Sequence, residues 1–413
     1  MCNFRFSLLF LLFLLTAPEL FSQQKPGTNL PGVVNKKPGL DSGFYQDIKD
    51  GLTNSYLKFT KDKTGRVAFL GGSITQNPGW REMICKYLTE RFPETKLDFV
   101  NAGIGSTGST PGAFRLASDV LARGEIDLLF EEAAVNDRTN SFDSTACIRG
   151  MEGIVSHARS AGPFLDIVLM YFVDPEKIKD YNCGKVPYEI KAHDKVARHY
   201  NLPTINLAKE VTDRINNGEL SWEKDFVDAH PSPFGQELYY QSIRAFLENC
   251  WKKAENQSNR LPHKLPVLID KYSYVDARYV DIRKAKPNEG WTFEENWSPS
   301  NNLILHKMCK NVPVLTSASP GAMVEFRFKG RAIGICAVTG PDAGMIEYSI
   351  DDKYSGIVDL HTQWSDEYNL PWFVIFKDEL SNSKHSLKIK IIENMNFKNH
   401  GNACRILKFL VNR

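Results

Sequence analysis

Four short stretches carry a hydroxyl, backbone donors, an amide and an acid/base pair: Gly71-Gly72-Ser73, Asn101-Ala102-Gly103, Ala134-Val135-Asn136-Asp137, and the segment from Asp225 to Ser232 that holds Asp228 and His230. Together they are a complete set for acyl transfer. A serine hydroxyl is a weak nucleophile until a histidine takes its proton, and a carboxylate must hold that histidine in the right tautomer. Ser73 and His230 fit the first two roles. Asp228, two residues before the histidine, is the expected acid, with Asp225 as the alternative. The oxygen that turns negative needs fixed donors, each worth about 3 kcal/mol of barrier. The Ser73 N–H, the Gly103 N–H and the Asn136 side chain are suited to that oxyanion hole.

Other residues near these stretches have competing explanations. Trp80, just past the serine, lines a substrate pocket or packs in the core. Glu131 and Glu132 are adjacent, so in a strand they face opposite ways and at most one joins the site; Glu132 is the substrate-side candidate, by hydrogen bonds to the site loops. Arg115 and Asp119, four apart, suit an intrahelical ion pair. His193 and His199, six apart, do not share a helix face at metal-ligand spacing, and a surface or packing role is expected. The eight cysteines contain no CxxC pair, which argues against a paired-cysteine zinc site. No metal site is expected.

The elements that must position these residues alternate. Short apolar runs at 66–71, 97–102, 126–133, 166–172 and 202–207 suit buried parallel strands. Helix-like stretches lie at 80–92, 110–123, 147–161, 187–200 and 235–253. The alternation implies a doubly wound α/β domain, where ligands sit outside the carboxyl ends of the strands. The Ser73, Gly103 and Asn136 segments all follow such ends. After the polar stretch Lys252–His263 the period changes to alternation, with strand-like segments at 321–328, 332–338, 345–350, 372–376, 387–392 and 406–411. That spacing implies an antiparallel β-sandwich. Trp291, Trp297, Trp364 and Trp372 are available there to stack on sugar rings, although most of them are expected in the core. The expected division is 1–22 signal peptide, 23–255 α/β domain, 256–264 linker and 265–413 β-sandwich.

At this level the chain resembles the SGNH (GDSL-type) hydrolases, with the Ser block as Gly71-Gly72-Ser73, the Gly block at Gly103, the Asn block at Ala134–Asp137 and the His block at Asp228-Ala229-His230-Pro231. The string FLGGSITQ is similar to that of secreted bacterial members. The resemblance implies a flavodoxin-like three-layer α/β/α fold, no cofactor, ester hydrolysis through an acyl-enzyme, and oxyanion donors at Ser73, Gly103 and Asn136. The second domain loosely resembles the jelly-roll modules beside bacterial carbohydrate esterases. Three positions depart from the family pattern: Gly72 replaces the usual Asp, Ala134 the usual Gly, and Val227 stands where the acid usually lies, three before the histidine.

Charge and length narrow the partner. Lys plus Arg (51) and Asp plus Glu (49) leave +2 over 413 residues, which predicts no nucleic-acid footprint. The run Phe6–Ala17 between Arg5 and the polar Ser22-Gln23-Gln24 has the layout of a secretory signal, and is too short to span about 30 Å of hydrocarbon. Cleavage near Ser22-Gln23 leaves a secreted or periplasmic chain with no membrane span. The expected substrate is an acylated carbohydrate or another small ester, with acetyl the leading acyl group. Two alternatives stay open: an inactive hydrolase domain serving as a glycan-binding protein, and a lipid or thioester hydrolase.

Overall fold

Phe69, Leu70 and their neighbours are apolar on both sides of the chain, and such a strand must lie in a sheet covered above and below. The computed structural model of the chain describes residues 39–393 and 401–413, so the signal-peptide expectation lies outside the described residues. Strands β1 (Gln46–Asp47), β2 (Thr64–Gly71), β3 (Lys96–Gly103), β4 (Leu128–Glu131), β5 (Asp166–Met170) and β6 (Thr204–Ile205) form a sheet in the order β1-β6-β5-β4-β2-β3. All neighbours are parallel except the short β1–β6 pair. Without that edge the order is flavodoxin-like, with its switch point between β2 and β4. The crossover from β2 to β3 runs outward and that from β3 to β4 runs back over β2. Right-handed connections therefore put helices Trp80–Arg91 and Ser109–Asp119 on opposite faces of the sheet.

β4 and β6 are shorter than their apolar runs. Besides short helices such as Ser73–Gln76 and Ala134–Thr139, two longer ones, Pro175–Asn182 and Leu207–Asn216, come in addition to those expected. Both open on side-chain caps, with Asp174 Oδ1 accepting from Lys177 N–H and Asn206 Oδ1 from Lys209 N–H, each at 2.9 Å.

The C-terminal region is a two-sheet β-sandwich. Its larger sheet is centred on Ala332–Thr339, flanked by Tyr368–Lys377 and Cys404–Asn412, and its smaller sheet is centred on Ser383–Ile392. Phe326 and Phe409 stack between the sheets at 3.9 Å. Every residue of Ala332–Thr339 is buried, whereas Met323–Gly330 alternates. One face of the larger sheet meets the smaller one, and residues on the other, such as Cys336, Leu407 and Leu410, join the core of the α/β domain. Gly39–Arg413 is accordingly one compact unit. The stretch between the regions is tied down as well: Leu261 N–H donates to Asn54, His263 bonds Asp166, and Glu152 accepts from Ile269 N–H, Asp270 N–H and Ser273. Arg149 bridges to Asp270, Asp378 and Glu379 at 2.8, 2.7 and 2.7 Å.

Of the four tryptophans considered for sugar stacking, Trp291 is buried in the sandwich core and Trp297 in the core that includes the α/β domain, while Trp364 and Trp372 are half-buried. All seven cysteines among the described residues are free thiols, five of them buried.

Candidate active site

β2 ends at Gly71, the chain turns at Gly72, and Ser73 opens the short helix Ser73–Gln76. Its N–H stands at the first helical position, where no acceptor within the helix exists. Two buried ionisable side chains fix this turn. Glu132 Oε1 accepts from Gly72 N–H at 2.8 Å and from the Thr75 hydroxyl at 3.1 Å. The fully buried Arg115 donates to Gly71 O, Ala102 O and the Thr107 hydroxyl. One guanidinium thereby ties the serine turn to the loop after β3. The expected ion pair with Asp119 is present at 3.3 Å, but it is the lesser part of what Arg115 does. A charge so deeply buried needs hydrogen-bond acceptors, and both terminal guanidinium nitrogens have them, while Nε is left without a partner among the described residues.

Asn136 lies in the first turn of the helix Ala134–Thr139 after β4. A Cβ on Gly72 would collide with Asn136 Oδ1, which gives a steric reason for glycine at a position where the resembling family has aspartate. The Asn136 helix is pinned from three sides. Asp137 accepts from Ser109 N–H, Ser109 Oγ and His193 at 2.7, 2.7 and 2.8 Å. Lys177 Nζ donates to Ala134 O at 3.2 Å, and Asn140 Nδ2 donates to Ser106 O at 3.0 Å.

His230 arrives from the other side, on the loop before helix Pro233–Lys252. Its Nε2 lies 2.7 Å from Ser73 Oγ. Asp228 Oδ1 is 3.5 Å from His230 Nδ1 and also accepts the His230 backbone N–H. The Asp225 carboxylate is turned to the Ser221 N–H at 2.7 Å, so of the two candidates Asp228 is the one beside the imidazole. Val227, at the position where the resembling family usually has its acid, has φ 76°. That is a strained backbone for a β-branched residue.

Two expectations need correction. Trp80 does not line a pocket: it is fully buried against Phe69, Phe130 and Phe172, and its ring N–H donates to Ile74 O at 3.3 Å. Its bulk and that bond support the serine helix from beneath. Gly103 N–H, the third expected oxyanion donor, is occupied by Asn101 Oδ1 at 2.9 Å. Glu132 meets the serine turn and, being buried, no solvent. Glu131 is also buried, and desolvation, with Glu132 and Asp137 nearby, raises its carboxyl well above the usual range.

Among the described residues, Asp137, Cys147 and His193 form the group of three metal-ligating side chains that lie close together. The 2.8 Å contact from Asp137 to His193 is a hydrogen bond, shorter than the separation of about 3.3 Å between ligands held 2.0 Å from one tetrahedral zinc. The cluster serves as an anchor behind Asn136. His199 bonds Val267 O at 2.7 Å. Sequence reasoning passed over the positioning roles of Arg115, Asp137 and Lys177. A charged residue inside Ala113-Phe114-Arg115-Leu116, otherwise apolar, was the signal for the first.

Residues 69–238 match the GDSL-like lipase/acylhydrolase family. No curated protein matches the chain. It is similar in structure to two crystal structures of a two-domain esterase described as active on acetylated mannans. The one co-crystallised with mannopentaose has 21% identity and a TM-score of 0.67, over 89% of this chain and 98% of that one. The other has 20% identity and a TM-score of 0.68, with the same coverage. The two-domain architecture is shared along nearly the whole chain.

Proposed function

With residues 69–238 a GDSL-like lipase/acylhydrolase domain, we propose that the chain is a secreted or periplasmic serine esterase that removes small acyl groups, acetyl foremost, from a carbohydrate. The observation that carries this is the 2.7 Å contact between Ser73 Oγ and His230 Nε2, at the carboxyl ends of the strands, beside Asn136. His230 Nε2 takes the Ser73 proton as Oγ attacks the ester carbonyl. The Ser73 N–H and the Asn136 amide then donate to the oxygen that becomes negative; Gly103 N–H joins them only on leaving Asn101. The imidazolium, supported by Asp228, then protonates the departing sugar oxygen. Water repeats the sequence on the acyl-enzyme, releasing the carboxylic acid and restoring Ser73.

The two-domain fold shared with an esterase described as active on acetylated mannans supports a carbohydrate as the alcohol part. The near-neutral charge and the apolar run Phe6–Ala17 support a neutral glycan met outside the cytoplasm. No helix of the described residues is long and apolar enough to cross a membrane.

The test is hydrolysis of 4-nitrophenyl acetate beside longer acyl esters, and acetate release from acetylated mannan and xylan, by the wild type and Ser73→Ala. Turnover that prefers acetyl and vanishes in Ser73→Ala is expected. Turnover unaffected by Ser73→Ala, or a preference for long acyl chains, would overturn the proposal.

A further inference from the structure

His306 belongs to the β-sandwich yet stands at the serine. It follows the two-residue strand Ile304–Leu305, which pairs with Tyr368–Lys377, and its backbone N–H donates to Asn369 O at 3.0 Å. The turn Lys307–Cys309 comes next, and Met308 N–H donates to His306 Nδ1 at 3.2 Å. An Nδ1 that accepts leaves the proton of the neutral ring on Nε2. Burial, with the charges of Lys307 and Arg115, pulls the His306 pKa down to about 4, so the ring is neutral at neutral pH. The tautomer and the charge state are thus both set by the surroundings.

That Nε2–H has no acceptor among the described residues and is screened from solvent. A Cβ on Gly105 would stand 3.6 Å from His306 Nε2, 3.7 Å from Ser73 Cβ and 3.9 Å from Gln76 Oε1. The imidazole and the nucleophile therefore converge on one glycine, and that residue contributes no side chain between them. Gln76 Oε1 is already taken by Gly105 N–H at 2.9 Å. Among the described residues this donor has no partner, at a place where one of the three expected oxyanion donors, Gly103 N–H, is engaged elsewhere.

We propose that His306 is a substrate-contacting residue of the active site, donating its Nε2–H to the ester oxygen that gains negative charge, so that the second domain completes the catalytic centre. This rests on the esterase proposal. A fixed donor shielded from water acts strongly on developing charge, because little solvent competes and nothing has to reorient.

The experiment compares wild type, Ser73→Ala, His306→Phe (similar shape, no donor) and His306→Gln (donor retained) on 4-nitrophenyl acetate, with folding checked by thermal unfolding. The expected result is a fall in kcat of about 100-fold for His306→Phe, with KM changed less than about threefold and most of kcat recovered in His306→Gln. If the phenylalanine variant does not fold, His306→Leu replaces it as the variant without a donor. Wild-type kcat in the donor-less variant, or equal losses in both variants, would overturn the role of His306 while Ser73 dependence upholds the esterase. Turnover independent of Ser73 would overturn both.

Discussion

Ser73 and His230 share one hydrogen bond but are held in opposite ways. The serine turn is buried and its backbone groups are engaged: Gly72 N–H by Glu132, Gly71 O by Arg115. The histidine sits on an open loop, its side chain 53% exposed, with Asp228 58% exposed and 3.5 Å away. Val227 just before them holds a strained φ of 76°. The proposed nucleophile and oxyanion donors are thus positioned in advance by the core. The proposed base is positioned by a short loop, and water competes with its carboxylate partner. Substitutions on the serine side should cost much rate or stability, and those on the histidine side less than in a buried triad.

The largest effect belongs to Gly72→Ala, whose new methyl displaces Asn136. We expect kcat to fall by about 100- to 1,000-fold, the value of an oxyanion donor, with thermal unfolding little changed; near-wild-type kcat would remove Asn136 from the site. Arg115→Met comes next. It leaves Gly71 O, Ala102 O and Thr107 without their donor, and denaturant unfolding should register a loss of about 3 kcal/mol. Stability unchanged by this substitution would contradict the buried-clamp account.

On the open side, Asp228→Asn should lower kcat by only about tenfold, against about 10⁴ for a buried triad aspartate. A loss of several orders of magnitude would mean that the loop closes on substrate and erases the contrast. Val227→Gly is the smallest: relief of the positive φ should raise stability by about 1 kcal/mol, and a loss measured in the same unfolding experiment would show that the loop is held by the valine side chain.

What the sequence made legible follows from how local each signal was. The parallel strands could be read because both their faces are apolar, and Ser73, Asn136 and His230 because each stands just after a strand end or before a helix. Arg115 was overlooked, since Asp119 four residues on offered a sufficient surface explanation; its apolar neighbours Ala113, Phe114 and Leu116 signal an inward side chain, but not which carbonyls it meets. Trp80 was ambiguous for the converse reason: position beside the serine does not say which way an indole faces. Ala-Ile-Gly-Ile-Cys-Ala-Val at 332–338 held a signal that went unused. An unbroken apolar strand inside an otherwise alternating sandwich needs cover on both faces, and the second cover is the α/β domain. From that docking follows the presence of His306 at the serine, which no spacing in the chain foretells.

The most direct test of the central claim is mass spectrometry of the full chain, quenched during turnover of 4-nitrophenyl acetate. The account predicts one acetyl group on the peptide that carries Ser73, formed in the wild type and absent from Ser73→Ala. Turnover at full rate with Ser73 unmodified, or the same acetylated species in Ser73→Ala, would contradict it.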